Sequence, residues 1–115
     1  MEFNEALVSK LRERSERFEE LTELIGSPEV LADGKRYPAL LRERGSLESS
    51  AKMFDALEAL RQQRAEAVAI IAEGGDEDLV ALAQEEIDGL EDQEHALDDE
   101  IKLALIADPE ENRTK

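Results

Sequence analysis

The chain has 115 residues, no cysteine, 41% hydrophobic but only 3% aromatic side chains, and 30 acidic against 14 basic groups for a net charge of −16. That length suits one domain, the missing thiols exclude a disulfide framework or a thiolate metal site, and so acidic a surface argues against general nucleic-acid binding. A core so poor in aromatics must be built from Leu, Ile, Val and Ala, which suits slender helix-to-helix packing.

The charge is unevenly spread. Residues 1–64 hold 13 acidic and 11 basic side chains for a net −2, whereas residues 65–115 hold 17 and 3 for a net −14. Contact with a polyanion therefore falls to the first part, although an ordinary solvated acidic face has the same composition. The longest apolar stretches, such as Ala67–Ala72, fall far short of the roughly 20 residues that a membrane span needs. The start, Met1-Glu2-Phe3-Asn4-Glu5, has neither a basic region nor an apolar core of the signal-peptide kind. The expected location is the cytoplasm.

In chain order, the first segment, about residues 4–25, predicts an amphipathic helix. Leu7, Leu11, Phe18, Leu21 and Ile25 step by threes and fours along one stripe, with Arg14 at the missing position. Asn4 suits the N-cap, and Gly26 closes the helix with Pro28 two residues on. Ser27-Pro28-Glu29 opens another turn of helix, which Asp33-Gly34 must break, and Asp33 can cap the helix after it.

A second helix is expected over about residues 35–72, with Pro38 tolerated in its first turn. Its seam reads Leu40 or Leu41, Leu47, Ala51, Phe54, Leu57, Ala65, Val68 and Ile71 or Ala72. Gly45 is its weak point, at about 1 kcal/mol against Ala; continuity or a slight bend is expected there. Gly74-Gly75 makes a tight turn, Asp76 caps the next helix, and that helix runs over about residues 77–106. Its stripe is Leu79, Ala83, Ile87, Leu90, Leu97, Ile101 and Ala104, interrupted by Glu94. Residues 108–115 are polar and aperiodic, and read as a linker. The expected fold class is all-α: an antiparallel, coiled-coil-like three-helix bundle, because each narrow stripe must bury against a neighbour.

Little in the chain suggests chemistry. His95 and the Asp92 three residues before it match one quarter of a di-iron carboxylate site, which needs a second such pair and two more inward carboxylates. A calcium loop over residues 76–87 would need Gly and Glu where Ala81 and Ile87 stand. The carboxylates Glu85-Glu86 and Asp98-Asp99-Glu100 lack an evident cleft to desolvate them. No catalytic residue, cofactor site or metal ligand is therefore expected. The concentrated cations are Lys10, Arg12, Arg14 and Arg17 on the first helix, and Lys35, Arg36, Arg42 and Arg44 at the start of the second. They are the candidate contacts for a polyanion such as RNA or for an acidic protein face; ordinary pairing with glutamates on the same helices is the alternative.

Several short runs, in order, carry a resemblance: Arg17-Phe18-Glu19-Glu20-Leu21 and Leu24-Ile25-Gly26-Ser27-Pro28-Glu29-Val30, then Ala32-Asp33 with Arg36-Tyr37-Pro38-Ala39-Leu40-Leu41-Arg42-Glu43. Leu79 with Ala83-Gln84-Glu85-Glu86-Ile87 and the tail Leu105-Ile106-Ala107-Asp108-Pro109-Glu110-Glu111-Asn112-Arg113 complete it. Together they resemble the N-terminal helical domain of bacterial class I peptide chain release factors. The missing tryptophan and the direct step from Gly26 to Asp33 favour the release factor 1 branch, which reads UAA and UAG. The tail departs from the family in lacking a proline before Asp108-Pro109 and in having Thr114 after Arg113.

The resemblance implies a module over residues 1–107 and a linker over 108–115 leading to a catalytic and codon-reading domain that the chain lacks. In the family, a Gly-Gly-Gln tripeptide triggers release; here Gly74-Gly75 is followed by Asp76 and is a turn. The implied role is to position a termination factor on the ribosome, without catalysis. The implied partners are the large-subunit stalk-base protein and rRNA and the class II release-factor GTPase, with neither DNA nor a membrane. A free-standing helical coiled-coil adaptor is the alternative, against which Arg14 and Glu94 interrupt a long oligomer seam.

Overall fold

A computed structural model describes residues 2–106 of the chain. Every regular element among them is helical: α1 (Glu5–Ile25), α2 (Pro28–Leu31), α3 (Arg36–Glu73) and α4 (Glu77–Ile106). The all-α class and the three long helices are as expected; the turn opened by Ser27-Pro28 is a short helix of its own. The linker expected over residues 108–115 lies outside the described residues.

Local chemistry explains the boundaries. The Asn4 side chain accepts hydrogen bonds from the backbone N–H of Ala6 (2.9 Å) and Leu7 (3.2 Å), satisfying two donors that α1 leaves without partners. Asp33 does the same for α3, accepting from Lys35 (3.1 Å) and Arg36 (2.9 Å), and Asp76 accepts from Asp78 at 2.8 Å ahead of α4. Gly26 ends α1 at φ −87°, a right-handed conformation open to any residue. Gly74 and Gly75 differ: their φ values of 74° and 79° lie in the left-handed region, and glycine adopts it without a Cβ clash. Gly45 leaves α3 unbroken.

The chain forms two compact units: residues 4–54, and residues 2–3 with residues 55–106 among those described. In the first, α1 and the start of α3 run antiparallel, because Arg17 meets Glu43 while Arg14 meets Ser50. In the second, the end of α3 and α4 run antiparallel across the Gly-Gly turn, with Arg64 against Glu94. The charge divides with the units: residues 4–54 hold 10 acidic and 9 basic side chains, and the rest of the chain 20 and 5.

The seam of α3 differs from the expected stripe. Buried or half-buried residues fall at Ser50, Met53, Leu57, Leu60, Arg64, Ala67 and Ile71, an unbroken alternation of three and four residues. Ala65 and Val68 are exposed instead, Val68 by 48%. Polar side chains at positions 50 and 64 hide this heptad from an apolar count. On α1 the seam position is Ser15, 6% exposed, with Arg14 half-buried beside it. On α4 the core runs through Ala83, Ile87, Leu90, Glu94, Leu97 and Ile101, while Leu79 is 54% exposed.

Candidate functional site

The eight candidate cations all belong to the unit of residues 4–54, but the fold uses them differently. Arg17 grips Glu43 with two hydrogen bonds, Nε to Oε2 at 2.8 Å and Nη2 to Oε1 at 3.0 Å, and also pairs with Glu20. The hydrogen bonds from Arg17 hold the Glu43 carboxyl below the usual carboxylate range, and the same contact raises the Arg17 pKa. Arg14 donates to Ser50 Oγ at 3.3 Å. Arg44 donates from Nε to Thr22 Oγ1 at 2.7 Å and stands 4.4 Å above the Phe18 ring. Arg12 lies 5.7 Å over Phe54. Lys10 is half-buried and engaged in an interaction of its own.

Four of the eight cations, Arg12, Arg14, Arg17 and Arg44, thus help to clasp the unit. Of the rest, Lys35, Arg36 and Arg42 are exposed on and just before the first two turns of α3. Arg36 lies close enough to Asp33 to help hold that carboxyl below its ordinary value, behind the larger effect of the capping hydrogen bonds. By sequence pattern alone these eight residues stand equal; the fold separates them.

In the second unit the most enclosed charge is Glu94. It is 1% exposed and sits in the helix seam, where Arg64 reaches it with Nε to Oε2 at 2.9 Å and Nη2 to Oε1 at 2.7 Å. The hydrogen bonds from Arg64 lower the Glu94 pKa against the opposing effect of burial, and the Arg64 pKa rises in turn. Glu91 stands 3.8 Å from the same guanidinium. Arg64 escaped the apolar pattern; the signal that could have found it is a basic residue at a heptad position facing an acidic one. Asp98, grouped in sequence with solvated carboxylates, is 7% exposed and pairs with Lys102 at 2.8 Å.

His95 is exposed. Among the described residues no three His, Cys, Asp or Glu side chains gather as a metal site would require, and no helix is long and apolar enough to cross a membrane. What fold and surface define is an all-α module of paired helices with polar inserts in its seams.

The chain belongs to the PCRF domain family, which matches residues 14–115. Among its relatives, peptide chain release factor 1 of Limosilactobacillus reuteri is 32% identical over 110 residues, covering 95% of this chain and 31% of the relative. The protein of the same name from Lactobacillus delbrueckii is 33% identical over 108 residues, or 93% of this chain and 30% of that one. That of Bacteroides thetaiotaomicron is 36% identical over 111 residues, or 96% and 30%. The chain therefore spans less than a third of the length of these relatives. No solved structure matches it.

Proposed function

We propose that this chain is the docking module of a peptide chain release factor that directs termination at UAA and UAG. It positions the factor on the cytoplasmic ribosome near the stalk base, touching the stalk-base protein and nearby rRNA, and performs no chemistry itself. The observation that carries this reading is the family match across residues 14–115, with relatives named as release factor 1. The distribution of charge supports it. Residues 55–115 would be repelled by rRNA, whereas residues 4–54 are nearly neutral and expose Lys35, Arg36 and Arg42. Those three are the phosphate contacts this reading favours among the eight candidates. The class II release-factor GTPase is a second partner of the same module.

Co-sedimentation with ribosomes tests the proposal. The chain should pellet with large subunits, and Lys35→Glu/Arg36→Glu/Arg42→Glu should weaken binding at least tenfold and flatten its salt dependence. Removing one phosphate-binding cation lowers the slope of log K against log salt by about 0.7–0.9. Added to stalled termination complexes, the chain alone should release no peptide. Codon-dependent release by it, or unchanged ribosome binding of the triple variant, would overturn the reading.

A further inference from the structure

The hairpin of the second unit has a side that the described residues leave open. The seam positions of α3 there are Leu60, Arg64, Ala67 and Ile71, and those of α4 include Val80, Ala83, Ile87, Leu90, Glu94 and Leu97. One residue before each lies a flanking stripe, and in an antiparallel pair these two stripes face the same side. On α3 it carries Ala59, Gln63, Glu66 and Ile70; on α4 it carries Leu79, Leu82, Glu86, Gly89, Gln93 and Ala96.

Between the stripes lies a shallow groove of about 380 Å³, with Leu60 and Leu97 as its floor and Ala56, Ala59 and Ala96 as low walls. Further along α4, a Cβ placed on Gly89 would meet nothing within 4 Å, so the groove stays open there. At the turn end it meets exposed apolar side chains: Leu79 at 54%, Leu82 at 61% and Ile70 at 38%. The charge around this face is mainly acidic, with Arg61 and Arg64 of α3 half-buried beside the groove. Residues 65–101 hold 14 acidic side chains and no lysine or arginine.

From this juxtaposition we infer that the groove is a docking site for a basic amphipathic helix of a partner protein. A groove between two helices, lined by small side chains and ending in leucines, fits an apolar helical stripe as the third member of a bundle. From Leu79 to Ala96 it offers room for about five turns of helix at 1.5 Å per residue. Lysines and arginines flanking that stripe meet Glu66, Glu86 and Glu100 along the rims. A nucleic acid is repelled, and so is a second copy of a chain whose net charge is −16. The inference stands independently of ribosome docking through residues 4–54.

The test uses the full 115-residue chain and three synthetic peptides of about five helical turns: one with a Leu/Ala stripe and lysine flanks, its twin with glutamate for lysine, and a scramble that destroys the stripe. Nuclear magnetic resonance of the labelled chain follows the side-chain amides of Gln63 and Gln93 in the groove, with Gln84 on another face of α4 as the internal control. The lysine peptide should shift Gln63 and Gln93, leave Gln84 in place, and bind at least tenfold more tightly than either control peptide. Ala96→Arg, at an exposed groove wall, should weaken binding at least tenfold while Ala69→Arg, on the outer side of α3, leaves it within twofold. Circular dichroism checks that both variants fold. Equal binding of the glutamate twin or the scramble, shifts as large at Gln84, equal loss in Ala69→Arg, or self-association of the chain through the groove would overturn the inference.

Discussion

Removing Arg64 should damage this protein more than removing Glu94, and removing both should repair most of the loss. In Arg64→Met the seam keeps a carboxylate that is 1% exposed but is deprived of both hydrogen bonds, at 2.9 and 2.7 Å. Leaving a buried charge without its partner costs about 3–5 kcal/mol. Glu94→Leu is milder. The Arg64 side chain is 27% exposed and already within 3.8 Å of Glu91, so its charge keeps water and a second carboxylate. The new leucine meanwhile joins Leu90, Leu97 and Ile101 in the core. In Arg64→Met/Glu94→Leu an apolar pair replaces the ionic one, and such exchanges are neutral or stabilising by about 1–4 kcal/mol. Urea titration by circular dichroism reads all three variants. With a slope of about 2 kcal/mol/M, Arg64→Met should lower the midpoint by about 1.5–2.5 M, and the double variant should return to the parent or above. A midpoint for Arg64→Met within about 0.5 M of the parent, or a double variant no better than it, would refute the argument that the seam desolvates Glu94.

Acid should remove the contribution of the same pair. The folded state holds the Glu94 pKa below its ordinary 4.5, so the unfolded chain binds the proton first. The stabilisation is fully present above pH 4.5 and is lost as pH falls through the lower folded value, a loss to which Glu43 and Asp33 add with the same sign. Unfolding free energy measured from pH 6 to pH 2 should fall more steeply for the parent than for Arg64→Met/Glu94→Leu; parallel curves would contradict this. Two glycine substitutions should act in opposite directions. Gly74→Ala forces a Cβ into φ 74° and should cost about 1–2 kcal/mol, while Gly45→Ala, with open space around the new methyl, should gain up to about 1 kcal/mol. Thermal unfolding monitored at 222 nm separates them by sign.

The helices were legible in the sequence because what starts and stops them acts within a few residues. Asn4, Asp33 and Asp76 cap donors two or three positions away, and Gly74-Gly75 reverses the chain whatever packs beside it. The α3 and α4 seams were only half legible. Counting apolar residues passes over Ser50 and Arg64, and so steps from Leu57 to Ala65 and Val68 and misses Leu60. The site was less legible again. Lysine and arginine look alike in a charge count, yet Arg17 is held by a glutamate 26 residues away and Arg64 by one 30 residues away. Sequence by itself determined the all-α class, the helix ends, the family resemblance and the division of charge, since each depends on composition or near neighbours. Only the tertiary structure decided which cations clasp the fold, which carboxylates lie buried and which flank of the hairpin stays open. Those outcomes depend on the register between helices, a relation between residues far apart in the chain.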